Sequence, residues 1–259
     1  MDAKHKVDMD MHYWRHTLLL VLFLAFPATA DNLVQTIKQI KPSVVAIGIH
    51  NPTGSPRIQL IGTGFAVAPG NRIATNYHVI AKSLNTAQLE EYVVLSGSAN
   101  KVTVHKILSR ELSPQHDLAL LSIEANLPAV NISQAEMLAE GANVGFTGFP
   151  ITHVLGLYPA THRGTIAAHT PVAIPADNAR DLHSQALRHL QQPYLVYQLD
   201  ATAYPGNSGS PLYNIQTGEV IGIVNQVYIK SSREAVLSDP SGISYAIPSQ
   251  FLLDLMQQR

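Results

Sequence analysis

An all-β protein of sandwich or barrel type is what this 259-residue sequence predicts, on three observations. Short runs rich in Val, Ile, Thr and aromatic residues recur along the chain. Most are bounded by Gly, Pro, Asn or Ser clusters that favour turns. The runs fall into two groups on either side of a polar connection, Ala125 to Gly141. Helical periodicity is confined to the two ends of the mature region, apart from a stretch over Asp181–Gln191 that could form a short helix. Alternating helices, which a parallel sheet would require, are missing from the pattern.

Taken in order, Asn32 to Ile40 sets Leu33, Val34, Ile37 and Ile40 at helical spacing. Pro42 ends that helix, because proline lacks the amide hydrogen that a continuing helix needs. Strands are expected at Ser43–His50, Gln59–Val67, Arg72–Thr75, Tyr92–Leu95, Val102–Leu108 and Leu118–Glu124. A second set is expected at Asn143–Gly148, Gly164–His169, Leu195–Leu199, Val220–Tyr228 and Ile243–Ile247. Residues 170–194 interrupt this second set. A connection of that length between strands is either a surface excursion or a loop facing substrate. Ser249 to Met256 closes the chain with a helical pattern, and Ser249 is placed to cap it.

The first thirty residues read as a removable export signal. Lys4, Lys6 and Arg15 precede the apolar run Leu18 to Phe26, and Ala28-Thr29-Ala30 supplies small residues for cleavage. That run is far shorter than the roughly 20 residues a membrane-spanning helix needs. The protein is therefore expected to be periplasmic or secreted, without stable membrane insertion once the leader is removed. The chain carries a formal net charge of −1, so no basic surplus points to nucleic acid or anionic membranes. It has no cysteine, which excludes a disulfide framework, thiolate metal ligation and heme attachment through thioether bonds.

Chemistry concentrates at Gly206-Asn207-Ser208-Gly209-Ser210-Pro211. Glycines flanking a serine let the backbone turn tightly and approach a substrate. Alone, such a segment is an ordinary turn, because a serine hydroxyl is a weak nucleophile without a base, an orienting group and oxyanion donors. Among twelve histidines, His78 stands out, since it follows a strand–turn–strand pattern that would hold it on a rigid scaffold. Asp117 precedes the apolar run Leu118-Ala119-Leu120-Leu121, where partial shielding suits an acid that supports an imidazolium. A hydrogen-bonding histidine and a turn-capping aspartate are the ordinary readings of each taken singly. No histidines fall in H-E-x-x-H or in an i, i+4 pair with a carboxylate, and His183 and His189 lie six apart on the expected insertion helix. Neither a metal nor another cofactor is expected. A serine esterase of the α/β-hydrolase kind is excluded, because Ser210 stands where G-x-S-x-G needs its last glycine.

The chain resembles the chymotrypsin-like (trypsin-fold) serine endopeptidases, and within them the protease domain of the exported high-temperature-requirement (Deg) family. The resemblance rests on Lys41-Pro-Ser-Val-Val45, Gly62-Thr-Gly-Phe65, Thr75-Asn-Tyr-His-Val79, His116-Asp-Leu-Ala-Leu120 and Gly145-Phe-Thr-Gly-Phe-Pro150. It continues through Gln198-Leu-Asp200, Gly206-Asn-Ser-Gly209, Val220-Ile-Gly-Ile223 and Ser244-Tyr-Ala-Ile-Pro248. It implies two six-stranded antiparallel β-barrels with a short N-terminal helix and a C-terminal helix. The N-terminal barrel, residues 31–130, would carry His78 and Asp117. The C-terminal barrel, residues 131–259, would carry Ser208 and the insertion 170–194. It further implies Ser208 as nucleophile, His78 as general acid/base and Asp117 as orienting carboxylate, with the oxyanion hole at Gly206, Asn207 and Ser208.

Thr202 and Ala203 would sit at the base of the specificity pocket, Val224 and Asn225 would form its wall, and Asp200 would tie down the loop. Thr202 is not an acid, so a preference for Lys or Arg is disfavoured and a small or aliphatic residue before the scissile bond is expected. Protein or peptide substrates follow, and oligomerisation is left open. Two departures stand out. Ser210-Pro211 replaces the family's second glycine, and the sequence stops at Arg259 without the PDZ domains most members carry. A catalytically silent peptide-binding scaffold on the same fold is the alternative.

Overall fold

The computed structural model describes residues 32–99, 101–150, 156–172, 193–225 and 243–258. The expected leader and the expected helix Asp181–Gln191, with His183 and His189, lie outside them. From Leu33 onward the described residues belong to one compact unit. Helix α1 (Leu33–Ile40) turns Thr36 and Ile40 inward. It ends in a single 3-10 turn, Lys41–Ser43, carrying Pro42. A proline is tolerated in a first turn and not beyond it, so the chain passes directly into a strand.

Seven strands make the first sheet: β1 (Val44–His50), β2 (Ile58–Val67), β3 (Arg72–Asn76), β4 (Glu91–Ser98), β5 (Lys101–Lys106), β6 (Ser109–Ser113) and β7 (Leu118–Ser122). Their order is β5-β4-β1-β2-β3-β7-β6, and the sheet is open. The second group is β8 (Asn143–Gly148), β9 (Ala160–Pro171), β10 (Leu195–Asp200), β11 (Pro211–Asn214), β12 (Val220–Asn225) and β13 (Ile243–Pro248). These close into a barrel of order β10-β13-β12-β11-β8-β9. Helix α2 (Ser249–Gln257) follows. No helix among the described residues is long and apolar enough to cross a membrane.

The all-β class and both terminal helices agree with the sequence, but the expectation of two closed six-stranded barrels is corrected. Closure of the first sheet would need β5 to pair with β6. Leu108, just past β5, donates its N–H to Ser122 O at 2.8 Å, so the end of β7 captures the chain. β6 then runs as the outer partner of β7, from Ser109↔Ser122 to Ser113↔Leu118. Two strands escaped the sequence pattern. β6 is a mostly exposed Ser-Arg-Glu-Leu-Ser segment that exists by pairing. β11 opens on Pro211, which a strand accepts at its first residue. Ser249 is also corrected: Pro248 occupies the cap position without a side-chain cap, and Ser249 Oγ donates to Ser133 O at 3.2 Å.

One apolar cluster is common to both sheets. It joins Ala46, Phe65 and Leu120 of the first sheet to Tyr213, Val220 and Ile223 of the barrel and Leu252 of α2. The polar connection helps hold the two together. Val130 donates its N–H to Ala66 O of β2 at 3.0 Å, and Ser133 donates to Val220 O of β12 at 2.8 Å. Backbone groups that would be unpaired in a buried connection thus find partners on both sides.

Candidate active site

β3 lies between β2 and β7 in the first sheet, which fixes the position of whatever follows it. Two residues after its end, His78 begins a 3-10 turn, His78–Ile80. The pairing Asn76↔Leu118 at the end of the β3–β7 ladder brings Asp117 alongside. Asp117 follows the turn Pro114–His116 and takes a left-handed conformation, φ 50°, a region that aspartate enters more readily than most residues. Two donors hold its carbonyl there: Tyr77 N–H at 3.0 Å and Asn76 Nδ2 at 3.1 Å.

Asp117 is buried, at 4% exposure, and both oxygens of its carboxylate are engaged. Oδ1 accepts the His78 backbone N–H at 2.8 Å. Oδ2 lies 2.7 Å from His78 Nδ1 and accepts Asn225 Nδ2 at 2.8 Å. Three donors satisfy a charge that would otherwise be costly to bury. Against a carboxylate, Nδ1 carries the imidazole hydrogen, which leaves Nε2 as a proton acceptor. Asn225 comes from β12 of the barrel, so the pair is braced from both sheets.

The nucleophile loop begins with a turn in which Asn207 donates its N–H to Tyr204 O at 2.9 Å. Gly206 is its third residue, with φ 99°, which is the requirement of a type II turn and of glycine at that place. Alternate peptides of the loop are pinned at both ends. The Gly206–Asn207 peptide gives its N–H to Tyr204 O and its carbonyl to Thr63 Oγ1 at 2.7 Å. The Ser208–Gly209 peptide gives its N–H to Val224 O at 2.9 Å and its carbonyl to Thr63 N–H at 2.9 Å. Among the described residues, no hydrogen bond takes the N–H of Gly206 or of Ser208. Ser208 is 6% exposed, and no hydrogen bond among the described residues joins its Oγ to His78. Such contacts are often long before substrate binds.

The expected specificity residues are placed less uniformly. Thr202 and Ala203 lead into the loop, with Ala203 N–H donating to Ser244 Oγ at 2.8 Å. Ser244 Oγ in turn donates to Ala201 O at 2.7 Å. This serine, rather than Asp200, ties the segment down; Asp200 is exposed. The residues expected as the pocket wall, Val224 and Asn225, are the last two of β12. Val224 is buried in the barrel core, and Asn225 turns its amide onto Asp117, because adjacent strand residues face opposite sides.

His162, which the sequence reading passed over, comes to the site from β9. Its ring stacks on Phe146 at 4.8 Å and lies 5.8 Å from the Tyr204 ring. Its Nε2 is 3.4 Å from Asn207 Nδ2, and burial lowers its pKa. Nothing in the sequence around His162 marked it, since only the β8–β9 register, Phe146↔His162, carries it there.

Solved structures share this architecture. The active form of the Rv3671c protease from M. tuberculosis has a TM-score of 0.61 at 24% identity, covering 89% of this chain and 86% of that one. A serine endoprotease from Yersinia pestis gives 0.59 at 26% identity, covering 87% of this chain and 65% of that one. The fold is that of the trypsin-like serine peptidases. The trypsin-like peptidase domain matches residues 62–223, and the chain belongs to that family. A probable periplasmic serine endoprotease, DegP-like, of Hahella chejuensis is 32% identical over 206 residues, which is 79% of this chain and 36% of that protein. A similarly named protein of Ectopseudomonas mendocina is 29% identical over 211 residues, 81% of this chain and 37% of that one. The chain thus spans little more than a third of the length of these relatives.

Proposed function

We propose that this chain is an exported serine endopeptidase that hydrolyses peptide bonds of proteins through an acyl-enzyme. The cleft would lie between an N-terminal half, residues 31–130, and a C-terminal half, residues 131–259. His78 Nε2 takes the Ser208 Oγ proton as Oγ attacks the scissile carbonyl carbon. The N–H groups of Gly206 and Ser208, flanking Asn207, hold the negative oxygen that forms. His78 then gives the proton to the leaving nitrogen as the C–N bond breaks, and the acyl group remains on Oγ. Water, deprotonated by His78, attacks that ester, and the same proton returns to Ser208.

The observation that carries this reading is the double grip of Asp117 on His78, at 2.8 Å to its N–H and 2.7 Å to Nδ1. It sets both tautomer and orientation for a general base. The N–H groups of Gly206 and Ser208, which have no acceptor among the described residues, agree with it. Thr202 and Ala203 form the pocket base, and a small or aliphatic residue precedes the scissile bond. Export is supported by the leader-like first thirty residues and by the periplasmic names of the relatives.

Labelling of the purified protein by a fluorophosphonate, with unfolded casein as parallel substrate, tests the reading. Wild type should label and cleave, and Ser208→Ala should do neither. A folded wild type that stays unlabelled and leaves casein intact would sink it.

A further inference from the structure

We propose that Thr63 is the residue that sets the oxyanion hole, acting as a positioning residue from the first sheet. The inference rests on the serine-peptidase reading above. Thr63 is completely buried on β2, outside the nucleophile loop, and yet it holds two of the loop's carbonyls, while Asn207 O between them accepts the Ser210 N–H at 3.0 Å. Its hydroxyl meets Gly206 O at 2.7 Å, and its N–H meets Ser208 O at 2.9 Å. The direction of the first bond is forced. A carbonyl only accepts, so the single hydroxyl hydrogen points at Gly206 O. The oxygen lone pairs remain for Phe149 N–H, which donates to it at 3.0 Å.

Each peptide is planar, so holding one carbonyl fixes the orientation of that whole unit. With the Gly206–Asn207 and Ser208–Gly209 peptides fixed, the neighbouring units that carry the Gly206 and Ser208 N–H groups have little rotational freedom left. Neither of those two donors has an acceptor among the described residues. Thr63 is itself anchored to the strand that delivers the base, because Thr75 Oγ1 donates to Thr63 O at 2.7 Å. Thr75 lies on β3, which runs on to His78. Through its hydroxyl and its backbone together, this one residue couples the base-bearing strand, the nucleophile loop and, by way of Phe149, the end of β8. Preorganised donors of this kind act on the developing oxyanion and contribute little to ground-state binding.

The test compares wild type, Thr63→Ser, Thr63→Val and Thr63→Ala by casein cleavage, fluorophosphonate labelling rate and thermal melting. Removal of one oxyanion donor typically lowers kcat by about 10²–10³-fold. Thr63→Val keeps the shape and loses the hydroxyl, and should lower kcat and the labelling rate by roughly 10²-fold. KM for casein should stay within about twofold, because binding is not what the hydroxyl serves. Thr63→Ser restores the hydroxyl and should recover most of the rate. Where Thr63→Val does not fold, Thr63→Ala decides by the same comparison. A folded Val or Ala variant with near-wild-type kcat, or a Ser variant as impaired as Val, would overturn the role of the hydroxyl and leave the peptidase reading intact. A wild type that neither labels nor cleaves overturns both.

Discussion

His162 sets a titrating ring against the residue that precedes Ser208. Neutral, its Nε2 can accept from Asn207 Nδ2 across 3.4 Å; protonated, it would face that donor with another. Burial disfavours the charged form and lowers its pKa. Above about pH 6.5, the unperturbed value, both folded and unfolded chains carry it neutral and pH has no effect through this group. As pH falls below that value the unfolded chain takes up the proton first, so stability is lost down to the folded pKa. Melting temperature against pH should therefore fall more steeply on the acid side for wild type than for His162→Phe. Equal slopes would show that this ring does not contribute. The same scale shows where sequence reading stops. His78 and Asp117 were legible because each adjoins a recognisable strand. Asn225 was legible as a site residue but not in its role, because its partner Asp117 lies 108 positions away.

Among elements, the nucleophile loop is the most constrained. Gly209 has φ 88°, and a Cβ there would collide with Thr63 O and meet Thr75 Oγ1 at 2.5 Å. Both neighbours are held by the hydrogen bonds that organise the loop, so neither can yield without moving it. Gly209→Ala should lower stability by more than the roughly 1–3 kcal/mol of a strained backbone residue alone, and should reduce fluorophosphonate labelling along with it. Chemical denaturation and labelling rate check this, and a variant with wild-type values for both would refute it. The glycines were visible in the sequence as turn formers, but the crowding by Thr63 was not. Conversely, β6 and β11 were invisible because their strand state comes from partners. β11 fills the gap between β8 and β12, and β6 lies along β7, whatever their own propensities.

In the whole molecule, the halves share a core. Leu252 of α2 is fully buried in a cluster that includes Ala46 and Phe65 from the first sheet and Ile223 and Ile247 from the barrel. Leu252→Ala should cost about 2–5 kcal/mol, and it should lower the stability of both sheets together. A single denaturation transition, with coincident probes of secondary and tertiary structure, is the expected outcome. Two separate transitions, with only the later half affected, would show that the sheets fold as independent units.

The sequence by itself determined the all-β class, most of the strands, the helices at each end of the described fold and the candidacy of Ser208, His78 and Asp117. Those features rest on local chemistry: side-chain alternation, turn residues, and a serine between glycines. Only the tertiary structure decided that the first sheet stays open, that Asn225 braces Asp117, that His162 reaches Asn207 and that Thr63 holds the Ser208 loop. Each of these depends on strand register and on contacts between residues far apart in the chain, which no local pattern of side chains encodes.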